Sequence, residues 1–184
     1  MDVKRWIIIL LCLLMLAGCG GKNGAMDEAL ALRGEIAQAK MCSFSIKITA
    51  DYGDMTYDFA MDCVSDNQGN VTFSVTQPES IAGITGKIGA DGGKLTFDDT
   101  ALYIPMLTDE QITPVSAPWI LMRTLLGGCI TSCADGRLTI DDSYENDALK
   151  LDIQLDAAGM PAVADVYWKN RRILVLQVTS FVLS

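Results

Sequence analysis

The clearest pattern in the chain is an alternation of apolar and polar side chains that begins at Ser43. A period of two places the apolar side chains of a β-strand on one face. The apolar residues that follow this period in two successive segments are Phe44, Ile46, Ile48, Tyr57, Phe59 and Met61. A polar loop from Asp51 to Asp54 separates the two segments, so the pattern predicts a β-hairpin with one apolar face.

The position of the loop also predicts which residues of the hairpin face each other. If the loop closes symmetrically, the opposed pairs are Cys42 with Cys63, Phe44 with Met61, Ile46 with Phe59, and Ile48 with Tyr57. Directly opposed residues of an antiparallel pair can come within disulfide distance. A bridge between Cys42 and Cys63 would close a loop of about 20 residues and contribute roughly 3 kcal/mol.

The rest of the chain contains a series of short segments with strand composition, separated by turn residues. The predicted strands are about Asn70 to Thr76, Ile84 to Ala90, Lys94 to Asp98, Ala101 to Ile104, Arg137 to Asp141, Ala148 to Asp156, Ala162 to Lys169 and Arg172 to Val182. About ten consecutive strands favour one large, curled antiparallel sheet or half-open β-barrel. The predicted fold class is therefore mainly β with flanking helices (α+β).

Two segments follow a helical period instead. From about Met26 to Met41 there is no proline, and apolar residues with helical spacing predict an amphipathic N-terminal helix. The segment Ser116 to Leu126 begins with Ser-Ala-Pro and ends before two glycines, which is typical of a short helix. This second helix is apolar nearly all round, so we expect it to be buried or to cover an apolar concavity as a lid.

The first residues have the features of an export signal. Lys4 and Arg5 precede an uncharged run that is too short to span a bilayer. The run ends in Leu-Ala-Gly-Cys19, which resembles the bacterial lipobox, so we expect cleavage before Cys19 and a diacylglyceryl group on its thiol. The predicted organisation is a lipoprotein signal peptide at 1–18, a flexible tether at 19–25 and one β domain at 26–184.

Composition excludes several function classes. The chain has no histidine and a formal net charge of −9. Without histidine, Ser/His/Asp and Cys/His catalysis and imidazole metal sites are absent. Adjacent carboxylates such as Asp98 with Asp99 and Asp141 with Asp142 would point to opposite faces of a strand, so the two members of a pair could not act on the same substrate. We therefore expect no enzyme activity, no cofactor and no metal site, and an acidic chain is not expected to bind nucleic acid.

Four cysteines remain once the signal is removed and Cys19 is lipidated: Cys42, Cys63, Cys129 and Cys133. An even number of cysteines in an exported chain favours disulfides, with a metal site or free thiols as alternatives. With Cys42 bridged to Cys63, the remaining two would pair across the turn that follows the second helix.

The order of these elements resembles the LolA/LolB-like family of periplasmic lipoprotein carriers and its Gram-positive surface relatives. The segment Phe73 to Ile84, with its proline and Ala-Gly-Ile turn, is similar to clostridial members, as are Leu95 to Asp98 with Leu102 and the Ser-Ala-Pro start of the second helix. The resemblance implies a half-open β-barrel around an apolar cavity that holds acyl chains, with helices at its mouth. It also covers a spore-germination lipoprotein that binds another protein, so the fold alone does not determine the function.

Two functions therefore remain open for a protein anchored to the outer face of the cell membrane or to another envelope membrane. The first is a module that binds lipid or acyl chains in its concavity. Its candidate lining and gating residues are Phe44, Ile46, Phe59, Met61, Val71, Phe73, Val75, Trp119, Met122 and Leu126. The alternative is an adaptor or regulator of another envelope or spore-germination protein, in which the same residues fill a closed core.

Overall fold

The computed structural model describes residues 24–98, 100–104, 112–142 and 149–184. These residues form one open antiparallel sheet of eleven strands in the order β6-β5-β4-β3-β2-β1-β11-β10-β9-β8-β7. The strands are β1 Met41–Asp51, β2 Thr56–Asp66, β3 Val71–Gln77, β4 Thr85–Gly89, β5 Gly92–Phe97, β6 Thr100–Ile104, β7 Cys129–Ala134, β8 Arg137–Asp141, β9 Leu149–Leu155, β10 Pro161–Trp168 and β11 Arg171–Leu183. The predicted curled sheet with flanking helices is confirmed.

The connection between β6 and β7 explains why a helix lies against the sheet. These two strands are the opposite edges of the sheet, so the chain between them must cross one of its faces. It does so through helix α2 (Ala117–Gly127), which contacts β2, β3 and β8. Helix α1 (Gly24–Gln38) precedes β1 and contacts both β7 and α2. Neither helix is long and apolar enough to cross a membrane, judged over the described residues.

The two ends of the sheet differ in what they carry. We call the end at which α1 leads into β1 the proximal end; its turns include 67–70, 90–91, 135–136 and 156–160. The opposite, distal end contains the β1–β2 turn at 52–55 and the β10–β11 turn at 169–170. Ala25 at the start of α1 accepts a hydrogen bond from the Cys133 thiol (2.8 Å) near the end of β7. This contact places the start of α1 at the proximal end.

The β1–β2 hairpin is present, but its predicted register is wrong by two residues. Cys42 faces Ser65, and Phe44 faces Cys63. The loop is Tyr52 to Met55, closed by a hydrogen bond from the Tyr52 N–H to the Met55 carbonyl (3.0 Å). Moving the loop by one residue shifts each pairing by two, which leaves every side chain on its predicted face.

The sequence prediction also missed a strand and misplaced the ends of the first helix. Residues Cys129–Ala134, predicted as a turn after the helix, form the edge strand β7. Helix α1 begins at Gly24, inside the segment predicted as a tether, and it ends at Gln38, so that Met41 starts β1. Of its apolar stripe, Ala29, Leu32 and Ile36 are buried in the core.

Candidate functional site: the filled concave face

The apolar face of the sheet is covered by helix α2. Of the ten residues predicted to line or gate a cavity, eight are buried and belong to one hydrophobic core: Phe44, Ile46, Met61, Val71, Phe73, Val75, Trp119 and Met122. The other two, Phe59 and Leu126, are half-buried and pack against that core. The structure therefore brings all ten residues together, and the helix occupies the space that the prediction gave to a ligand.

Helix α2 is part of the core and is more than a surface cover. Ile120, Leu121, Met122 and Leu125 are all buried, and Trp119 is only 7% exposed. Burial on nearly all sides agrees with the expectation from the sequence that this helix is buried or covers a concavity. A ligand on the concave face would have to displace α2.

A polar contact fixes one side of α2 to the sheet. The Arg123 guanidinium lies 4.9 Å from the centre of the Trp119 ring, a cation–π distance. The same guanidinium donates to one carboxylate oxygen of Asp142 through Nε (2.8 Å) and Nη2 (2.6 Å). Thr124 Oγ1 lies 3.3 Å from that oxygen. Arg123 thus covers the Trp119 indole and links α2 to Asp142, the residue that follows β8.

A second contact joins the two helices. Arg33 of α1 donates from Nε to the Leu125 carbonyl and from Nη2 to the Gly128 carbonyl, both at 2.7 Å. The last carbonyls of a helix lack intrahelical hydrogen-bond donors and lie at the negative end of the helix dipole. A guanidinium group supplies the donors, and its positive charge interacts favourably with the dipole. Burial lowers the pKa of Arg33 from its ordinary value, while the charge of Cys129 opposes that change. The sequence analysis missed Arg33, because the residues it joins are more than 90 positions apart.

None of the four described cysteines forms a disulfide, in contrast to the prediction. The proposed bridge rested on the wrong register: Cys42 and Cys63 share a face but are diagonal neighbours, at a typical Cα separation of about 7 to 8 Å. This exceeds the usual disulfide range. Cys129 and Cys133 lie on the same strand, four residues and therefore about 13 Å apart, which excludes a bridge across a turn.

Burial keeps the inner thiols protonated. It raises the pKa of Cys42 to about 12. It also raises the pKa of Cys63, with a further contribution from the charge of Asp62. Because the thiolate is the reactive and metal-binding form, both residues behave as small apolar core residues.

The distal end carries exposed aromatic residues that the sequence analysis did not single out. Tyr52, Met55 and Tyr57 are exposed at 46%, 58% and 43%. The two tyrosine rings lie 6.2 Å apart, and the Tyr57 hydroxyl is 3.1 Å from the Met55 sulfur. Arg171 contacts Asp51 beside them at 3.6 Å. Tyr57 was predicted to face Ile48 inside the hairpin; it faces Ala50 near the hairpin end, and its ring lies 6.5 Å from that of Phe59.

Some predicted features lie outside the described residues. They include the signal at 1–18 and the lipid-attachment residue Cys19. Among the residues that are described, no three histidine, cysteine or carboxylate side chains cluster as metal ligands do.

Comparison with known proteins finds similarity in structure only. No protein-family model matches the sequence, and the curated proteins gave no significant match. The structure is similar to that of a LolA superfamily protein from Nitrosomonas europaea (10% identity, 85% of this chain and 93% of that one, TM-score 0.46). It is also similar to a putative outer membrane lipoprotein-sorting protein domain from Vibrio parahaemolyticus (10% identity, 85% and 91%, TM-score 0.43). A third similar structure is the lipoprotein LppX from Mycobacterium tuberculosis (11% identity, 88% and 96%, TM-score 0.44).

Proposed function

We propose that this protein is a LolA-like envelope lipoprotein without enzymatic activity, anchored by a diacylglyceryl group on Cys19, that binds acyl chains on the concave face of its sheet. The described structure is the closed form, in which α2 occupies the acyl-chain site. The observation that carries the proposal is that one continuous apolar face is covered mainly by the crossover helix α2, which two polar contacts hold in place beside the buried side chains of α1.

The free energy gained by burying the apolar side chains of α2 is comparable with that gained by burying an acyl chain. Each large apolar side chain of α2 gains about 1.5 to 3 kcal/mol on burial, so the five that are buried together contribute about 10 kcal/mol. They are Trp119, Ile120, Leu121, Met122 and Leu125. A saturated chain of about sixteen carbons gains roughly 12 kcal/mol at about 0.8 kcal/mol per methylene. An acyl chain can therefore replace the helix without a large net loss of buried apolar surface.

The contacts around α2 favour its movement as a unit. Arg33 binds only carbonyls at and just after the C-terminal end of α2, and Arg123 binds Asp142, the residue that follows β8. Both guanidinium groups can return to water when their contacts break, because Arg123 is already 35% exposed and Arg33 is only half-buried. Opening therefore leaves neither guanidinium group buried without a partner, although it separates Arg123 from the Asp142 side chain, which is 15% exposed.

Native mass spectrometry of the mature protein purified from membranes tests both parts of the proposal. We expect a covalent mass increase for the diacylglyceryl group at the N-terminal cysteine and a separate, dissociable lipid mass on the folded chain. The Cys19→Ala variant is the control, since it should lose the covalent lipid and still bind the dissociable one. Persistent labelling of Cys19→Ala by a palmitate analogue would contradict the anchor. If no lipid co-purifies and none binds when phospholipid is offered, acyl-chain binding is excluded.

A second function is favoured by one specific observation. The exposed distal cluster of Tyr52, Met55 and Tyr57 next to Arg171 has the composition of protein–protein hot spots, which are enriched in tyrosine and arginine. In an adaptor the core stays filled, and this cluster contacts an envelope protein. Substitution of Tyr52 and Tyr57 by serine would then abolish capture of one stoichiometric partner and leave lipid content unchanged.

A further inference from the structure

The chain carries a small basic surface on the outer face of the sheet, despite its net charge of −9. Lys87 of β4 and Lys94 of β5 face each other directly, and Lys94 faces Tyr103 of β6. The Lys94 ammonium lies 5.7 Å from the centre of the Tyr103 ring. We call Lys87, Lys94 and Tyr103 the lysine patch.

The two lysines repel each other in the isolated chain. Like charges directly opposite in an antiparallel pair are destabilising. Neither lysine forms an ion pair with any of the described residues. The nearby carboxylate of Asp66 accepts three N–H groups, from the Gln68 backbone and from the backbone and side chain of Asn70. Its oxygens are thus engaged in these hydrogen bonds. Asp66 interacts electrostatically with Lys87, and Asp91 lies in the same cavity, but neither carboxylate forms an ion pair with a lysine of the patch.

The surroundings of the patch leave room for an anionic group. A cavity of 570 Å³ is lined by both lysines and Tyr103, with Asn70, Asp91 and the glycines of the β4–β5 turn. Gly89, Gly92 and Gly93 have no side chains to keep a ligand away from the lysines. Tyr103 is 73% exposed and Leu102 beside it 62%, and exposed tyrosine with lysine is typical of residues at a membrane interface.

The patch lies at the proximal end of the sheet, which is the end at which α1 begins, although α1 begins beside β7 at the opposite edge of the sheet. Cys42, next to the start of β1, is level with Ser65, Val71 and Ile88 across four strands, so the β4–β5 turn lies at the same end as α1. The five residues from Cys19 to Gly24 can span at most about 17 Å, whereas β1 alone is about 36 Å long. An anchored cysteine therefore keeps the proximal end close to the bilayer.

We propose that the lysine patch contacts the anionic phospholipid headgroups of the membrane to which the protein is anchored, and thereby sets the orientation of the domain. This proposal rests on the anchor of the proposed function. Long-range attraction is not required, because the lipid anchor already brings the domain to the surface and charges beyond about 10 Å are screened. Another part of the proximal end disfavours contact with an anionic surface, because the cleft between α1 and the β9–β10 turn is rimmed by Glu28, Glu35 and Asp156.

Hydrogen exchange of the lipidated, full-length mature protein on vesicles tests this proposal. One set of vesicles contains phosphatidylcholine alone, and the other contains phosphatidylglycerol in addition. A lysine at an anionic surface contributes about a fivefold preference, so we expect amides of residues 92–104 to exchange on the order of tenfold more slowly on the anionic vesicles. The double variant Lys87→Glu with Lys94→Glu should lose this protection. The matched control, Lys47→Glu with Lys169→Glu, makes the same charge change away from the patch and should keep it.

Equal exchange on both kinds of vesicle, or loss of protection in the control variant as well, would overturn the proposal. Failure of the wild-type protein to co-float with either kind of vesicle would overturn the anchor and this proposal together. Co-flotation with unchanged exchange would overturn the orientation alone. Acyl-chain binding measured by mass spectrometry should be the same in both double variants, which separates this test from that of the proposed function.

Discussion

Replacement of Trp119 by alanine is expected to lower the free energy of unfolding by about 3 to 5 kcal/mol, the usual cost of deleting a buried aromatic side chain. Trp119 is 7% exposed and packs in the core under the guanidinium of Arg123. The deletion removes apolar contacts and the cation–π partner of Arg123 together. Urea denaturation followed by circular dichroism measures the change.

Trp168→Ala is the matched control for this prediction. Trp168 is half-buried at the distal end, with the Lys169 ammonium 5.7 Å from its ring. Because less apolar surface is lost there, we expect a destabilisation below about 2 kcal/mol. If Trp119→Ala were no more destabilising than Trp168→Ala, α2 would be a loosely attached cover and its place in the core would be wrong.

Replacement of Arg33 by leucine should have the second largest effect. It removes two charge-assisted hydrogen bonds and leaves the carbonyls of Leu125 and Gly128 without these donors, at an expected cost of about 2 to 4 kcal/mol. If α2 is displaced by the ligand as proposed, the contact exists only in the closed form, so its loss also favours the open form. A shift of about 2 kcal/mol would raise the affinity for an acyl chain by up to about 30-fold.

Unfolding and binding of a fluorescent fatty acid measure the two effects of Arg33→Leu on the same protein. Arg137→Leu is the control, because Arg137 is exposed at the start of β8 and contacts neither α2 nor its carbonyls. Arg137→Leu should change neither the free energy of unfolding nor the affinity for the fatty acid appreciably. A destabilised Arg33→Leu protein whose affinity for the fatty acid is unchanged or lower would show that α2 does not compete with the ligand.

Local patterns were sufficient to predict ten of the eleven strands and the face on which the apolar residues of the β1–β2 hairpin lie. The alternation from Phe44 to Met61 has a period of two, and this period survives a shift of the turn by one residue. The register itself was not predictable, because Asp51 to Asp54 and Tyr52 to Met55 are both plausible four-residue loops. The predicted disulfide between Cys42 and Cys63 depended on the first of these loops, and it was wrong because the hairpin has the second.

Features that depend on distant parts of the chain left no local signal. Strand β7 has no regular alternation of apolar and polar residues and no fully buried side chain, so its sequence lacks the pattern that predicts the other strands. Its strand structure comes from pairing with β8 at the edge of the sheet. Two further features depend on the sheet order: the contact of Arg33 with the end of α2, and the placement of α2 in the concavity. In that order the edge strands β6 and β7 are connected through α2.

The most direct test of acyl-chain binding in place of α2 is hydrogen exchange of the full-length protein with and without bound phospholipid, followed at the amides of residues 117–127. If the acyl chain occupies the concave face, α2 is displaced into solvent, and we predict that its amides exchange faster in the lipid-bound protein while those of β1 and β11 stay protected. Slower or unchanged exchange of α2 in protein that mass spectrometry shows to be fully loaded would contradict the account.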